Sequence, residues 1–396
     1  MRVLSVTAQK PCSTGSGVYL TEVVRSLAKM GVSQAVVAGV TREDRVDMPE
    51  GVTVYPVYFS SEKLPYPVVG MSDDMPYTST RYRDMTEEMA GQFKAAFLEV
   101  LDEAIEKENP DIILCHHLYY LTALIRAHYP AKKVYGFCHN TDLRQMESIL
   151  FERNFIRQEI PKLDRIFALQ EAQKEKIKKI YPVSEKQMTV IGTGYNSEVF
   201  KKTGIKSSRK DGKIRMIFAG KITQKKGVKS LLRALNLLDY EKEKIQLILA
   251  GGAGNLVEYE EIKELADGCR YPVVFAGCVT QSRLAELYND CDIFVLPSMY
   301  EGLPLTVIES LACGDRVVMT KLEGIAEWLA DMVPDADIRY VLPPGMKGTD
   351  EPLEEELPAF ESRLAEALRE AIEEKDTKEC DVSRISWQKI AREVIR

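Results

Sequence analysis

A chain of 396 residues exceeds what one hydrophobic core usually serves and predicts two domains. Its 45% hydrophobic and 29% charged content is that of an ordinary globular protein. The formal net charge of -7 argues against a nucleic-acid binder, which needs a basic excess to neutralise phosphates.

Short apolar runs alternate with amphipathic stretches from the N-terminus onward. Residues 2–8 (RVLSVTA) read as a strand, and residues 18–30 as a helix with Leu20, Val23, Val24, Leu27 and Met30 on one face. Further strands are predicted at residues 34–38, 52–57, 112–115, 134–138, 165–168 and 188–191, with helical stretches between most of them. A polar stretch at 201–211 (KKTGIKSSRKD) reads as a linker. Strands resume at 215–219, 246–250, 273–276, 293–296 and 316–320. After Asp350, Leu353, Leu357, Phe360, Leu364, Leu368 and Ile372 mark a helix with an acidic outer face, and residues 386–395 form a last short helix carrying Trp387. The βαβα alternation predicts two doubly wound, largely parallel α/β domains, with ligands met at the carboxyl ends of the strands.

The eight cysteines (Cys12, Cys115, Cys138, Cys269, Cys278, Cys291, Cys313 and Cys380) contain no C-x-x-C pair, a pattern of reduced thiols in a cytoplasmic protein. With four histidines and no H-x-x-x-H or Cys/His cluster, a protein-built metal site is not expected. The N-terminus turns polar too early for a signal peptide, and no apolar run has the length of a membrane-spanning helix.

Four segments carry chemistry. Residues 298–314 (SMYEGLPLTVIESLACG) follow a buried strand, which places Glu301 at a strand's carboxyl end. Pro304 suits the first turn of a helix, so the N–H groups of Leu303, Leu305 and Thr306 would face outward as an anion site, next to Gly302. Glu301 and Glu309 can accept hydrogen bonds from a sugar's hydroxyls and a ribose diol. The same spacing, Thr306-x-x-Glu309, also reads as a capping box. Residues 219–227 (AGKITQKKG) set Lys221 and Lys226 on either side of a turn, where two cations can meet a leaving diphosphate or form a solvated basic loop. Residues 13–17 (STGSG) place Gly15 and Gly17 in a loop that backbone or ligand can approach closely, or in an ordinary tight turn; Leu20 breaks the dinucleotide pattern G-x-G-x-x-G. Residues 137–144 (FCHNTDLR) put His139 at another strand end with Asp142 nearby, while His116 and His117 follow a strand as wall or acceptor-side residues.

Together these segments resemble the family 4 retaining glycosyltransferases of the GT-B fold, over essentially the whole chain. The family's E-x7-E pair appears as Glu301 and Glu309, its G-R-x-x-x-x-K-G as Gly220, Lys221, Lys226 and Gly227, and its H-G-T-D as His139, Asn140, Thr141 and Asp142. Lys221 stands where the family has arginine, and it lacks that residue's bidentate fork. Residues 192–196 (GTGYN) match the interdomain P-N-G-V-D loosely, and residues 386–390 (SWQKI) resemble the family's last helix.

The resemblance implies two Rossmann-like domains facing a central cleft: residues 1–200 on the acceptor side, residues 201–375 binding the nucleotide sugar, and residues 376–396 returning to the first domain. It implies a metal-independent retaining transfer from a UDP-, GDP- or ADP-sugar, UDP being favoured. Glu309 would hold the ribose, and Glu301 the sugar hydroxyls. Lys221 and Lys226 would clamp the diphosphate, Gly15 and Gly17 would close over it, and backbone at Cys278 and Val279 would read the base. His139 would contact the sugar near the reacting carbon, so His139, Lys226 and Glu301 would act at the reacting centre. The acceptor, unidentified, would meet the first domain, with residues 65–83 as a shaped loop and Arg81, Arg83, His116, His117, Asp142 and Arg144 as candidates; Arg81 and Arg83 suit an acidic group, though they read first as the exposed start of the following helix. Residues 173–179 (QKEKIKK) read as a solvated helix face ahead of a membrane contact. A nucleotide-sugar epimerase of the same build, or a silent nucleotide-sugar-binding protein, are the alternatives.

Overall fold

The computed structural model describes residues 1–11, 13–73, 75–209, 211–253, 255–348, 351–374 and 380–396. Cys12 and the expected boundary at residues 375 and 376 lie outside the described residues. The chain forms two compact units, residues 1–194 with 386–396, and residues 195–385.

In the first unit the strands are β1 (Arg2–Thr7), β2 (Ser33–Val40), β3 (Thr53–Tyr58), the two-residue pair β4 (Val69–Gly70) and β5 (Thr80–Arg81), β6 (Ile112–His116), β7 (Lys133–Phe137), β8 (Arg165–Ala168) and β9 (Met188–Val190). The seven main strands lie in the order 3-2-1-6-7-8-9, and every pairing is parallel. Its helices are α1 (Gly15–Lys29), α2 (Glu87–Glu108), α3 (Tyr120–His128), α4 (Thr141–Ser148), α5 (Arg153–Glu159) and α6 (Glu171–Ile180). β1, β2 and β6 are buried along almost their whole length, which explains why they read as continuous apolar runs rather than alternating ones: helices cover both faces. α2 buries Ala90, Phe93, Phe97, Leu101 and Ala104 on one stripe; the Thr86 side chain caps its start and Asn109, in the left-handed region, ends it.

The second unit contains α7 (Ile205–Ser208), β10 (Ile214–Ala219), α8 (Val228–Asn236), β11 (Ile245–Ala250), α9 (Leu256–Asp267), β12 (Val273–Gly277), α10 (Gln281–Asp290), β13 (Ile293–Leu296), α11 (Leu305–Ala312), β14 (Arg316–Thr320), α12 (Ile325–Met332), β15 (Ile338–Val341), the pair β16 (Met346–Lys347) and β17 (Glu351–Pro352), and α13 (Leu357–Glu373). Its six-stranded sheet runs 12-11-10-13-14-15, again all parallel. Both sheets are therefore doubly wound, and each reverses its strand order beside its first strand: between β1 and β6, and between β10 and β13. Among the described residues no helix is long and apolar enough to cross a membrane.

The predicted linker at 201–211 is pinned to the second unit. Lys206 Nζ lies 2.5 Å from Asp315 Oδ1, and Arg209 pairs with Asp292 at 2.5 Å. Asp315 is fully buried at its side chain, and desolvation pushes its carboxyl up to about 7 against the pull of Lys206. Two of the charges of this stretch thus pair with carboxylates of the second unit, while residues 201–205 are exposed.

The C-terminal helix α14 (Trp387–Val394) packs on α1 within the first unit and buries Trp387, Ile390, Ala391 and Val394. Arg165 secures it by an ion pair to Glu393 at 2.5 Å. Gly194 permits the chain's return, because a Cβ there would stand 2.5 Å from the Trp387 backbone nitrogen. Gly194→Ala is therefore expected to lower the unfolding free energy by about 1–3 kcal/mol through overpacking. Gly15→Ala, where a Cβ meets nothing within 4 Å, serves as the control, and urea denaturation of both variants checks the difference.

Candidate active site

In the second unit the candidate residues gather at the switch point. The loop after β10 carries Lys221 and Lys226; the loop after β13 carries Glu301 and leads into α11. Lys226 Nζ meets Glu301 Oε1 at 2.6 Å, with both side chains largely shielded (26% and 14% exposed). Backbone contacts hold the two loops at this distance. Met299 N–H donates to Lys225 O at 2.9 Å, and Gly227, at φ 73°, lies so close to Pro297 that a Cβ would come within 2.0 Å of the Pro297 carbonyl oxygen. Only glycine fits there, on grounds of both conformation and space. The Thr223 hydroxyl accepts from Lys226 N–H at 3.3 Å, and Glu258 accepts from Gln224 N–H at 2.7 Å, tying the lysine turn to α9. Lys221 is half-buried just past β10.

Helix α11 starts at Leu305, with Pro304 as its N-cap and no side-chain cap. Thr306 is therefore the second residue of the helix and not its cap, so the capping-box alternative does not describe this helix. Glu309 is buried one turn in, at 6% exposure; Leu303 is buried, while Gly302, Leu305 and Thr306 are half-buried. The first-turn N–H groups of α11 lack intrahelical partners by construction, and the dipole adds partial positive charge beside Lys226. Cys278 is exposed and Val279 half-buried past β12, two strands from β10 on the far side of β11.

In the first unit the candidates follow three adjacent strands. Gly15 and Gly17, after β1, lie in the first turn of α1 and not in an open loop, because Thr14 caps the helix by accepting from Gly17 N–H at 3.1 Å. His116 ends β6 and His117 follows it; both are buried, at 4% exposure. His139, after β7, is half-buried, and its Nε2 lies 3.0 Å from His116 Nδ1. Tyr19 of α1 closes on His139 edge-on at 5.3 Å between ring centroids.

Asp142 faces the interior and not an acceptor. It is wholly buried, and its carboxylate accepts from Leu118 N–H at 2.7 Å and His139 N–H at 3.2 Å, joining the loops after β6 and β7. Asn140 stands where the resembled family has glycine, and its φ of 71° accounts for both residues: asparagine is among the side chains that best tolerate the left-handed region.

Arg83 and Arg144 converge on one carboxylate, Asp73, at 2.7 and 2.9 Å. Arg81, on the surface, pairs with Asp84 at 2.6 Å. A cavity of about 360 Å³ opens beside Arg83, bounded by Tyr82, Met85, Ser148, Ile149 and Phe151. Three residues that shape the site escaped the sequence reading. Asp73 and Glu258 lie in polar stretches without periodic signal, and Tyr19 is indistinguishable from the other members of the apolar face of α1. Among the described residues, no group of three or more His, Cys, Asp or Glu is placed to hold a metal ion.

Two doubly wound domains of this topology, each with chemistry-bearing loops at its switch point, constitute the GT-B architecture. Residues 13–199 match the family described as Glycosyltransferase Family 4, and residues 200–348 that described as Glycosyl transferases group 1. The chain belongs to these glycosyltransferase families. An uncharacterized glycosyltransferase of Methanocaldococcus jannaschii is 29% identical over 172 residues, covering 41% of this chain and 44% of the relative, so the chain spans less than half of that protein's length. Among solved structures, the sucrose-phosphate synthase of Thermosynechococcus elongatus superposes with a TM-score of 0.71 at 15% identity, covering 100% of this chain and 97% of the other. Anabaena HepE in complex with UDP-glucose superposes with a TM-score of 0.63 at 15% identity, covering 100% and 98%.

The three histidines make the first unit acid-sensitive. Burial pushes His116 down to about 3 and lowers His117 and His139 as well, with neighbouring imidazoles adding for His116 and His139. In the unfolded chain these groups protonate near 6.5. Folding stability is thus fully present above about pH 6.5 and is lost as pH falls toward 3, by up to about 1.4 kcal/mol per pH unit for one such group. His117→Asn, which keeps a residue tolerant of the φ of 75° at this position, is expected to show a smaller drop in urea midpoint between pH 7 and pH 4.5 than the wild type.

Proposed function

We propose that the chain transfers a sugar, with retention of configuration, from a nucleoside diphosphate donor to an acceptor hydroxyl, UDP-sugars being preferred. The observation that carries this reading is the Lys226–Glu301 pair at the β10/β13 switch point, beside the N-terminus of α11. An ammonium group with one donor engaged by Glu301 keeps two for phosphate oxygens. Lys221 on the same loop, and the α11 N–H groups, supply the rest of the positive field in which the leaving diphosphate develops its charge.

Glu301, fixed by Lys226, accepts from the donor sugar's hydroxyls, and Glu309 accepts from the ribose diol. The base is read by backbone at Cys278 and Val279. Gly15 and Gly17 contribute the first turn of α1 toward the diphosphate. His139 meets the sugar near the reacting carbon. The bond from the anomeric carbon to the diphosphate oxygen breaks as the acceptor oxygen forms its bond on the same face. The acceptor's proton passes to the leaving phosphate, so no side chain serves as a nucleophile. Arg83 and Arg144 are the side chains that would meet an acceptor carrying an acidic group. The UDP-glucose held by Anabaena HepE supports the choice of base.

Four measurements test the proposal. In a thermal-shift comparison, UDP is expected to raise the melting point more than GDP or ADP, since a ligand of the folded state alone stabilises it. Incubation with UDP-sugars is expected to release UDP slowly by hydrolysis; an interconverted sugar nucleotide would mark an epimerase instead, and binding without turnover, even with cell-extract acceptors, a silent module. Lys226→Ala is expected to lower kcat by about 10²–10³, as for the loss of one preorganised charge-stabilising group, and unchanged turnover would remove Lys226 from the diphosphate clamp. Because Glu309 does not cap α11, Glu309→Gln is expected to leave the helix intact and weaken UDP binding.

A further inference from the structure

The first unit contains a side-chain pair whose geometry is more demanding than packing requires. His116 Nδ1 and His139 Nε2 are 3.0 Å apart, their rings lie within 12° of parallel, and their centroids are 5.2 Å apart. That separation is the N···N distance plus one ring radius on each side. The bond therefore runs along the line joining the two ring centres, in the plane where an imidazole N–H points and where its lone pair receives. Either nitrogen can be the donor, and the alignment is the same.

The surroundings prevent other arrangements. Phe137 stacks on His116 at 4.8 Å and 15°, and Tyr19 stands edge-on to His139 at 5.3 Å and 75°, itself anchored by its hydroxyl on the Gly192 carbonyl at 3.1 Å. From the backbone side, Asp142 accepts the His139 N–H at 3.2 Å and the Leu118 N–H at 2.7 Å, fixing the ends of β6 and β7 relative to one another. His116 Nε2 is buried and has no hydrogen-bond partner among the described residues. Leaving a polar atom unmet in the interior is costly, and an aliphatic or aromatic residue at this position would avoid that cost. What the histidine provides in exchange is the in-plane bond to His139.

We infer that His116 is a positioning residue: by engaging Nε2 of His139 it fixes the plane of that ring and leaves Nδ1 as the atom His139 offers to a bound sugar. The inference rests on the proposal that His139 meets the donor's sugar. A His139 without this partner would rotate about its side-chain bonds, and the sugar contact would bear the ordering cost on binding. Positioning by His116 removes it in advance. None of the residues proposed for the uridine or the diphosphate is His116 or His139, so the effect is confined to the sugar.

The test compares UDP with a UDP-sugar in calorimetric titrations of the full chain, in wild type, His116→Phe and His116→Asn. Asparagine places an amide that can donate or accept near the position of Nδ1; phenylalanine keeps the ring and loses the bond. His116→Phe is expected to bind UDP as the wild type does and to lose about 3- to 10-fold of the additional affinity conferred by the sugar, the worth of one hydrogen bond. His116→Asn is expected to restore most of it. Ring-nitrogen NMR of the ¹⁵N-histidine-labelled wild type, which needs no variant, is expected to show the UDP-sugar moving His139 Nδ1 while Nε2 stays in place. A UDP-sugar that moves Nε2 instead, or an affinity increment unchanged in His116→Phe, overturns the inference. Absence of any UDP binding by the wild type would instead overturn the donor-site proposal on which it rests.

Discussion

The contact between Gly227 and Pro297 determines what the second unit can do. Two loops leave neighbouring strands at the switch point, and an ordinary side chain at Gly227 would hold them apart. Because hydrogen replaces Cβ there, the lysine turn lies directly on the loop after β13, and Met299 completes the join through the Lys225 carbonyl. The 2.6 Å pair of Lys226 and Glu301 follows from that backbone approach. Neither side chain has to search for the other, so the pair loses little entropy on forming. A cation and a carboxylate are thereby presented together, next to the partial positive charge of a helix start, at the place where open α/β sheets bind ligands.

The first unit solves the corresponding problem with a buried carboxylate. Asp142 draws the loops after β6 and β7 together, and the imidazoles of His116 and His139 then face each other across the gap between those strands. Burial favours the neutral form of both rings. In the same unit Arg83 and Arg144 meet at Asp73. Polar groups at the carboxyl ends of the strands are a feature of both units, beside central strands such as β6 and β13 that are buried along their length.

Much of this was legible in the sequence because parallel strands covered on both faces must be apolar along their length. β1, β6, β10 and β13 stand out for that reason, and each motif could be placed at a strand end. The misreadings have local causes. β15 has a half-exposed pattern at the sheet edge, with Arg339 and Tyr340 in its middle, and showed no apolar run. Gly15 and Gly17 read as a loop because glycine is a poor helix former, yet the Thr14 cap starts α1 at Gly15. The stretch 201–211 read as a linker because Lys206 and Arg209 find their partners at Asp315 and Asp292, far away in sequence. The capping-box spacing of Thr306 and Glu309 was an ambiguity that only the start of α11 at Leu305 resolves. Pairings such as Asp73 with two arginines depend on tertiary placement and leave no trace in spacing.

The central claim is that the Lys226–Glu301 pair marks the donor's diphosphate and sugar. A crystal structure of the chain with a UDP-sugar tests this most directly. The account predicts diphosphate oxygens within hydrogen-bonding distance of Lys226 Nζ and the first-turn N–H groups of α11, and sugar hydroxyls on Glu301. A diphosphate bound away from both loops of the switch point, with the Lys226–Glu301 pair untouched by ligand, would contradict it.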